Sequence, residues 1–517
     1  LPVAFAFLLS FVLPLLPAHA SPVAAQGETL PANAAQADTR PQPTAYVQAQ
    51  RPISTTNAAA AAQFDDGLTL LYAFNPAGAR ASFENAAKLD PTLAIAWWGI
   101  AMSHGININT SYDPAEQRAG RDAIVRATNL ERGASPAERA LIDAAARRFA
   151  YDRSTEGDRS ARAYRDAMNA AAAAFPLDDD VQVLAAEAEM DVHPWSFFTP
   201  GGMPVEGMAG AIARLDAVLA RTPEHIGANH LLIHAWEESS HPENALVAAR
   251  RLAAMNFEPG AEHLAHMPAH AFLRVGAYYD AGEANARAIA LYVRYVASNA
   301  PDHASYINHD CAFGAYAFMM AGSYSRAQEI AAACIPFGSR LAADVELRFR
   351  RYDALAAAAD EDDDDFSAGM LCANAGRSGA AARHLGVLRK LAGDVASIEA
   401  DVLAAAIART KQDQSGEIAS LTHAVATQDG SGYEEPPEFF FPVRETLGGA
   451  YYRYGRYHEA ERTFRDDLTH DAENPRALYG LAETLDKEGR TSEASQARAR
   501  FLKAWAQADT QLDMKDY

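Results

Sequence analysis

Residues 447–494 read LGGAYYRYGRYHEAERTFRDDLTHDAENPRALYGLAETLDKEGRTSEA, and this stretch carries an internal period. Gly455 and Ala460 recur as Gly489 and Ala494, one 34-residue period later, and Leu447-Gly448 recurs as Leu481-Ala482. Two helices of a hairpin approach closely only where their side chains are small, and a glycine lets the first helix stop. Several positions keep phase together. An alanine-rich bundle would account for the helices but not for the period.

The same spacing returns at the other end of the chain. Gly67, Phe74, Ala79, Phe83, Ala86 and Pro91 are spaced as in a tetratricopeptide repeat, and Trp97 opens the next copy. Between the ends the period stretches. Gly276-Ala281 and Gly322-Ala327 keep the Gly-to-Ala spacing, and Ser240-Ala245 keeps it with serine for glycine. Residues 106–175 hold a longer insertion with Pro114 and Pro136 as helix starts. The pattern predicts an all-α, right-handed tetratricopeptide-like α-solenoid of helical hairpins. Repeats over 63–345 carry a histidine-rich groove, 346–440 continue them, and 441–508 are the C-terminal repeats. Pro436-Pro437 marks the entry to these last repeats. The run Asp360 to Asp365 reads as a solvated acidic loop, with weak cation binding as the alternative.

The 517 residues are 49% hydrophobic, enough for an extended core, and the net charge of −22 argues against nucleic acid or an anionic membrane as partner. Residues 1–20, LPVAFAFLLSFVLPLLPAHA, read as an export signal ending in Ala18-His19-Ala20. A membrane anchor is the alternative, but Pro14 and Pro17 interrupt the run, and a span needs about 20 apolar residues. No basic n-region precedes it and the chain opens at Leu1, so the start reads as truncated. Residues 21–62 read as a flexible Ala/Pro/Gln tether. No later segment is apolar enough to span a bilayer, so the expected location is periplasmic or secreted. Cys311, Cys334 and Cys372 form no CxxC motif, and Cys311 with Cys334 is a candidate disulfide.

Nine of the 16 histidines fall between His225 and His309. His230, His234 and Glu237 fall at i, i+4 and i+7, and His263, His266 and His270 at i, i+3 and i+7. Each set lies on one face if its segment is helical. With Ala245, Ala281 and Ala327 as the repeat's alanine slot, position 20, the residues fall into register. His230, His234 and Glu237 take positions 5, 9 and 12 of one first helix. His263, His266 and His270 take positions 2, 5 and 9 of the next, and His309 takes position 2 of the one after. In tetratricopeptide repeats these positions face the concave groove. Imidazoles with a nearby carboxylate suit a divalent transition metal: zinc, copper or iron. The competing readings are a polar groove that takes a peptide and histidines satisfied within the core. Pro268 must kink or begin a helix, so the face of His263 and His266 depends on it. Glu187 and Asp191 precede the cluster as further ligand or supporting candidates. His193 and His241, each before proline, read as a turn and a helix entry. His225 and His303 read as loop residues.

Five segments resemble a family of bacterial tetratricopeptide-repeat proteins of undefined activity: YAFNPAGARASFENAAKLDP with AWWGIAMSHGININ, EMDVHPW, ANHLLIHAWEESSHPENAL, EHLAHMPAHAFLRVG and EPPEFFFPVRETLGGAYYRYGRYHEA. The resemblance spans about residues 64 to 490 and implies no reaction. Leu231-Leu232 and Phe439-Phe440-Phe441 depart from the aromatic runs usual there.

Two functions follow as expectations. One is an exported solenoid with a metal centre of His230, His234, Glu237, His263, His266, His270 and His309. With an open coordination position it is an enzyme candidate, with Glu237 or Glu187 as base or with copper or iron redox chemistry. The other is a scaffold that binds a protein or peptide partner in the groove.

Overall fold

The glycines of the period sit where a helix stops. Gly276, Gly322, Gly376, Gly455 and Gly489 have φ between 70° and 77°, the left-handed conformation that side chains resist. Five residues on, Ala281, Ala327, Ala381, Ala460 and Ala494 are fully buried. Aromatic wedges repeat as well. The Phe83 ring lies between Gly67 and Gly99, and the Phe464 ring between Gly448 and Gly480. A Cβ at any of these four glycines would sit 2.3–2.7 Å from the ring, closer than any real contact.

The computed structural model describes residues 46–110, 112–150, 153–298, 306–337, 341–358 and 364–517. It is an all-α solenoid in which consecutive helices pair as hairpins. The series runs from Ala58–Tyr72 with Pro76–Leu89 to Pro475–Lys487 with Thr491–Ala504. The described chain forms one compact unit. Extended pairing among the described residues is limited to the isolated bridge Phe198–Pro204. No described helix is long and apolar enough to cross a membrane.

The solenoid bends so that its last repeats lean on its middle ones. The Tyr278 hydroxyl donates to the Ala472 carbonyl at 2.8 Å. The Trp505 ring covers Gly322, and the Ala472 carbonyl covers Gly276. These two glycines therefore stop a helix and also make room for a distant segment. Arg348 pairs with Glu445 across 97 residues, at 2.6 and 3.0 Å. Cys311 and Cys334 form a disulfide that joins helices Ile307–Ala321 and Tyr324–Cys334, while Cys372 is free and buried.

The expected tether over 21–62 needs correction at its end. Residues 46–57 run along the fold, and helix Ala58–Tyr72 starts on an Asn57 cap. Arg51 is buried, paired with Asp178 at 2.7 Å and Asp180 at 3.0 Å. Two carboxylates more than a hundred residues away hold a segment whose composition alone reads as solvated. The expected signal, residues 21–45, His303 and Asp360 to Asp363 lie outside the described residues. Asp364 caps helix Asp365–Asn374 by accepting from the Phe366 and Ser367 amides.

Candidate metal centre

Helix Ile226–Glu237 begins on His225, whose ring nitrogen accepts from the Ala228 amide. Gly227 then admits the Tyr72 ring, since a Cβ there would lie 2.5 Å from it. That approach brings the carbonyl of Tyr72 to 2.7 Å from His230 Nδ1. Pro268 begins a helix, Pro268–Arg274, and Glu262–His266 is a separate short turn before it. The backbone between them stays in the helical region at Met267 (φ −48°, ψ −37°). The two faces therefore remain aligned, and His266 Nε2 lies 2.9 Å from His270 Nε2. Helix Ile307–Ala321 adds His309.

The six imidazoles form two triads. His230, His234 and His263 make one, and His266, His270 and His309 the other. Within each, three ring nitrogens lie within 4.8 Å of one another. Bonds of about 2.0–2.1 Å place the nitrogens of one tetrahedral zinc about 3.4 Å apart, so the widest pair of a triad closes by up to about 1.4 Å, within reach of side-chain rotation, to meet on one ion. The 2.9 Å between His266 and His270 already corresponds to an angle of about 90° at such an ion. The triads adjoin, with ring centroids 6.2 Å apart for His234 and His270 and 5.8 Å for His263 and His266.

Four of these rings are held from behind through Nδ1. His230 meets the Tyr72 carbonyl, and His234 meets Glu237 Oε1 at 2.9 Å. His266 meets Asn285 Oδ1 at 2.7 Å, with Asp310 at 3.3 Å. His270 meets Glu435 Oε2 at 2.8 Å, with Glu237 Oε2 at 3.5 Å. An acceptor at Nδ1 places the ring proton there and leaves Nε2 as a lone-pair donor. Nε2 of His230 and His234 and both nitrogens of His263 are buried with no hydrogen-bond partner. Leaving such an atom unsatisfied costs about 1–3 kcal/mol.

Burial and mutual repulsion hold His230, His234, His263 and His266 well below the usual imidazole range. Burial, then His270 and His234, lowers His309 to about 3. These rings are neutral at pH 7, the form that ligates metal. For His270 burial also pulls downward, but Glu237 and Glu435 outweigh it and raise the pKa. Burial pushes Glu237 up to about 7 against the pull of His270 and Arg274.

Aromatic rings enclose the centre. Phe74 lies 4.6, 5.8 and 5.4 Å from His230, His234 and His263. Trp195 meets His234 edge-on, Tyr306 stacks on His263 at 4.4 Å, and Phe313 meets His266 and His270. Phe74 and Trp195 both have positive φ, 51° and 56°. Such a backbone costs a bulky residue about 1–3 kcal/mol. Phe74 stands five residues before Ala79, the slot that glycine fills in the hairpins at Gly276, Gly322, Gly455 and Gly489. Arg350 and Gln412 show that other residues can take this turn, with φ of 53° and 57°. At Phe74 the ring reaches the histidines.

The expected open groove is corrected to a buried centre. His230 and His266 are fully buried and His270 is 6% exposed, with Phe74 packed on His230, Trp195 edge-on to His234 and Glu435 paired with His270. The structure brings together all six predicted histidines and Glu237, with Glu237 behind His234 and His270. Glu187 lies elsewhere. Burial, then Asp191 with Arg148 opposing, raises it to about 8, and Arg148 from the long insertion pairs with Asp191 at 3.2 Å. Glu435, Asp310, Asn285, Phe74 and the Tyr72 carbonyl escaped sequence reasoning as site residues. Glu435 carried a signal within the EPPEFFFP segment, and Tyr72 and Phe74 within YAFNPAGARASFENAAKLDP. A further grouping of His458, Glu461 and Glu488 is more open, and Glu461 there is already paired with Arg465 and Arg490.

No protein-family profile matches the chain, and no curated protein matches it in sequence. Among solved structures the chain is similar to the tetratricopeptide-repeat domain of P58(IPK), at 12% identity over 84% of this chain and all of that one, with a TM-score of 0.23. At that score the likeness carries no argument, so the reading of the site rests on its own geometry.

Proposed function

We propose that this protein is an exported tetratricopeptide-repeat protein that holds a transition metal, zinc, copper or iron, in a buried histidine centre. One observation carries the reading. In the first triad Nε2 of His230, Nε2 of His234 and both nitrogens of His263 are orphaned and converge, while Nδ1 of His230 and of His234 is fixed by a carbonyl and a carboxylate. A polar cluster that served stability alone would pair its nitrogens internally, because each unpaired one weakens the fold. The support behind the rings is what metal-ligating histidine needs to fix its tautomer and direction. The set contains no thiolate, and three donors per triad leave room for a further ligand, as in open catalytic sites. Glu237 is engaged with His234 and His270, so it orients imidazoles rather than acting as a free base. Export is supported by the apolar opening stretch and by the Cys311–Cys334 disulfide, a bond typical of oxidising compartments. Repeat scaffolds also offer extended surfaces to protein partners, and the outer helices suit that second role better than the filled concave side.

Metal analysis of protein purified without a histidine tag tests the centre. At least one tightly held ion per chain is expected. The double variant His230→Ala, His266→Ala should purify with metal strongly depleted. Parent protein free of metal, or a double variant with unchanged content, would sink the reading.

A further inference from the structure

The two triads are copies of one arrangement, displaced by one repeat. His230 and His234 occupy positions 5 and 9 of one first helix, and His263 occupies position 2 of the next. His266 and His270 again occupy positions 5 and 9, and His309 again occupies position 2 of the helix that follows. The series then stops. Position 2 ahead of it is Gly227, and positions 5 and 9 beyond it are Ala312 and Tyr316. A solenoid that repeats its backbone repeats its binding geometry. The histidines therefore do not form one six-membered cage.

We propose that the centre is dinuclear, with one copper ion in each triad, and that it binds dioxygen between the two ions. The proposal rests on the metal-centre reading above and extends it. All six donors are imidazole nitrogens. The nearby carboxylates Glu237, Glu435 and Asp310 lie at Nδ1 atoms, behind the rings, so none of them bridges two ions on the Nε2 side. Nitrogen donors without carboxylate favour copper over harder ions, and copper heads the affinity order for divalent first-row metals. Each triad leaves coordination positions open. The rings of His234 and His270, and of His263 and His266, put the two sites side by side, as in two-metal centres about 3.5–4 Å apart that share a ligand. Phe74 packs on the first triad and Phe313 on the second, which restricts the shared ligand to a small, weakly solvated molecule. Each cuprous ion gives one electron to dioxygen. The products are two cupric ions and one bridging peroxide, with no proton required.

The test loads metal-free, untagged protein with cuprous ion under nitrogen. Two ions per chain are expected, and His234→Asn and His309→Asn should each retain one. Circular dichroism and melting of the metal-free variants check their folding, with His230→Gln and His266→Gln as second choices for each triad. On admitting air, the parent should take up one dioxygen per pair and stay silent in electron paramagnetic resonance, since the two cupric spins couple. The single-site variants should instead show the signal of an isolated cupric ion. One ion per chain, or loss of both ions from either variant, would overturn the dinuclear assignment. Two uncoupled cupric signals, or no uptake, would overturn dioxygen binding. A parent that binds no metal would sink the underlying reading instead.

Discussion

Helix Val443–Arg453 and helix Ile226–Glu237 hold the same place in their hairpins and bury opposite kinds of polar group. Glu445 is 2% exposed, and Arg348, Arg476 and Asn474 meet it at 2.6, 3.1 and 2.9 Å. Burial raises its pKa, but the two guanidiniums and their hydrogen bonds outweigh it and hold it low. His230 and His234 are as deeply buried, yet their Nε2 atoms have no partner. The repeat needs a small residue at its alanine slot, which Ala245 and Ala460 both supply, and after helix Val443–Arg453 Gly455 adds the left-handed turn. It leaves the inner face free. The closed cluster ties distant repeats together, whereas the open one is organised toward something it has yet to receive.

Breaking the closed cluster should have the largest effect. Glu445→Ala leaves two buried guanidiniums without their acid, a loss of about 3–5 kcal/mol. Urea unfolding should show it equally in metal-free and metal-loaded protein. The matching change in the open cluster, His263→Phe, removes no hydrogen bond and keeps a ring between Phe74 and Tyr306. In metal-free protein at pH 7.5 it should therefore cost no stability, and it relieves two unpaired buried nitrogens. An equal loss in both variants would erase the contrast between the clusters.

The period in residues 447–494 was enough to read the hairpins, because Gly455, Ala460, Gly489 and Ala494 do the same physical work in each copy. The six histidines were legible for a related reason. Helical spacing put them on one face, and the repeat frame aligned three such faces. Their supports were not legible. Glu435 stands 165 residues from His270, and Tyr72 stands 158 from His230, so only the bend of the solenoid brings them together. Burial was missed because the sequence marks a concave side without saying what fills it. Glu187 was misassigned because nothing in its own helix shows that Arg148 from the insertion arrives next to it. Phe74 read as ordinary repeat packing, and its positive φ gives it a second role.

Acidity separates the clusters by a smaller amount. In the metal-free fold the pKa of His263 is held far below its ordinary value of about 6.5 by burial and by His230, His234, His266 and His270. The unfolded chain then binds a proton that the folded chain refuses. Stability from this residue is complete above about pH 6.5 and is lost as pH falls toward the folded value. His263→Phe lacks the group. It should gain on the parent by about 1.4 kcal/mol for each pH unit below 6.5 and by nothing further above it. Paired urea titrations at pH 5.5 and 7.5 measure this, and a difference that does not change with pH would mean that the imidazole titrates normally in a hydrated site. Metal on the nitrogen lone pair also keeps the folded ring from taking a proton, so the parent's loss toward acid should persist in metal-loaded protein.

The smallest effect tests whether the turn glycines act through the backbone alone. Gly489 has φ 75°, and a Cβ built on it would meet nothing within 4 Å. Gly489→Ala therefore adds no clash and removes no contact, so its effect is the strain of a left-handed alanine, about 1 kcal/mol. The loss should be independent of metal and of pH between 5.5 and 7.5. Phe74 carries the same kind of strain, and its ring lies against three imidazoles. Phe74→Gly should relax the backbone by a similar amount, yet lower metal retention because the first triad loses its packing. If both substitutions changed stability alone, Phe74 would be an ordinary turn residue and its ring would have no part in the centre. If Phe74→Gly loosens the metal while Gly489→Ala does not, the strain at Phe74 is tied to the site.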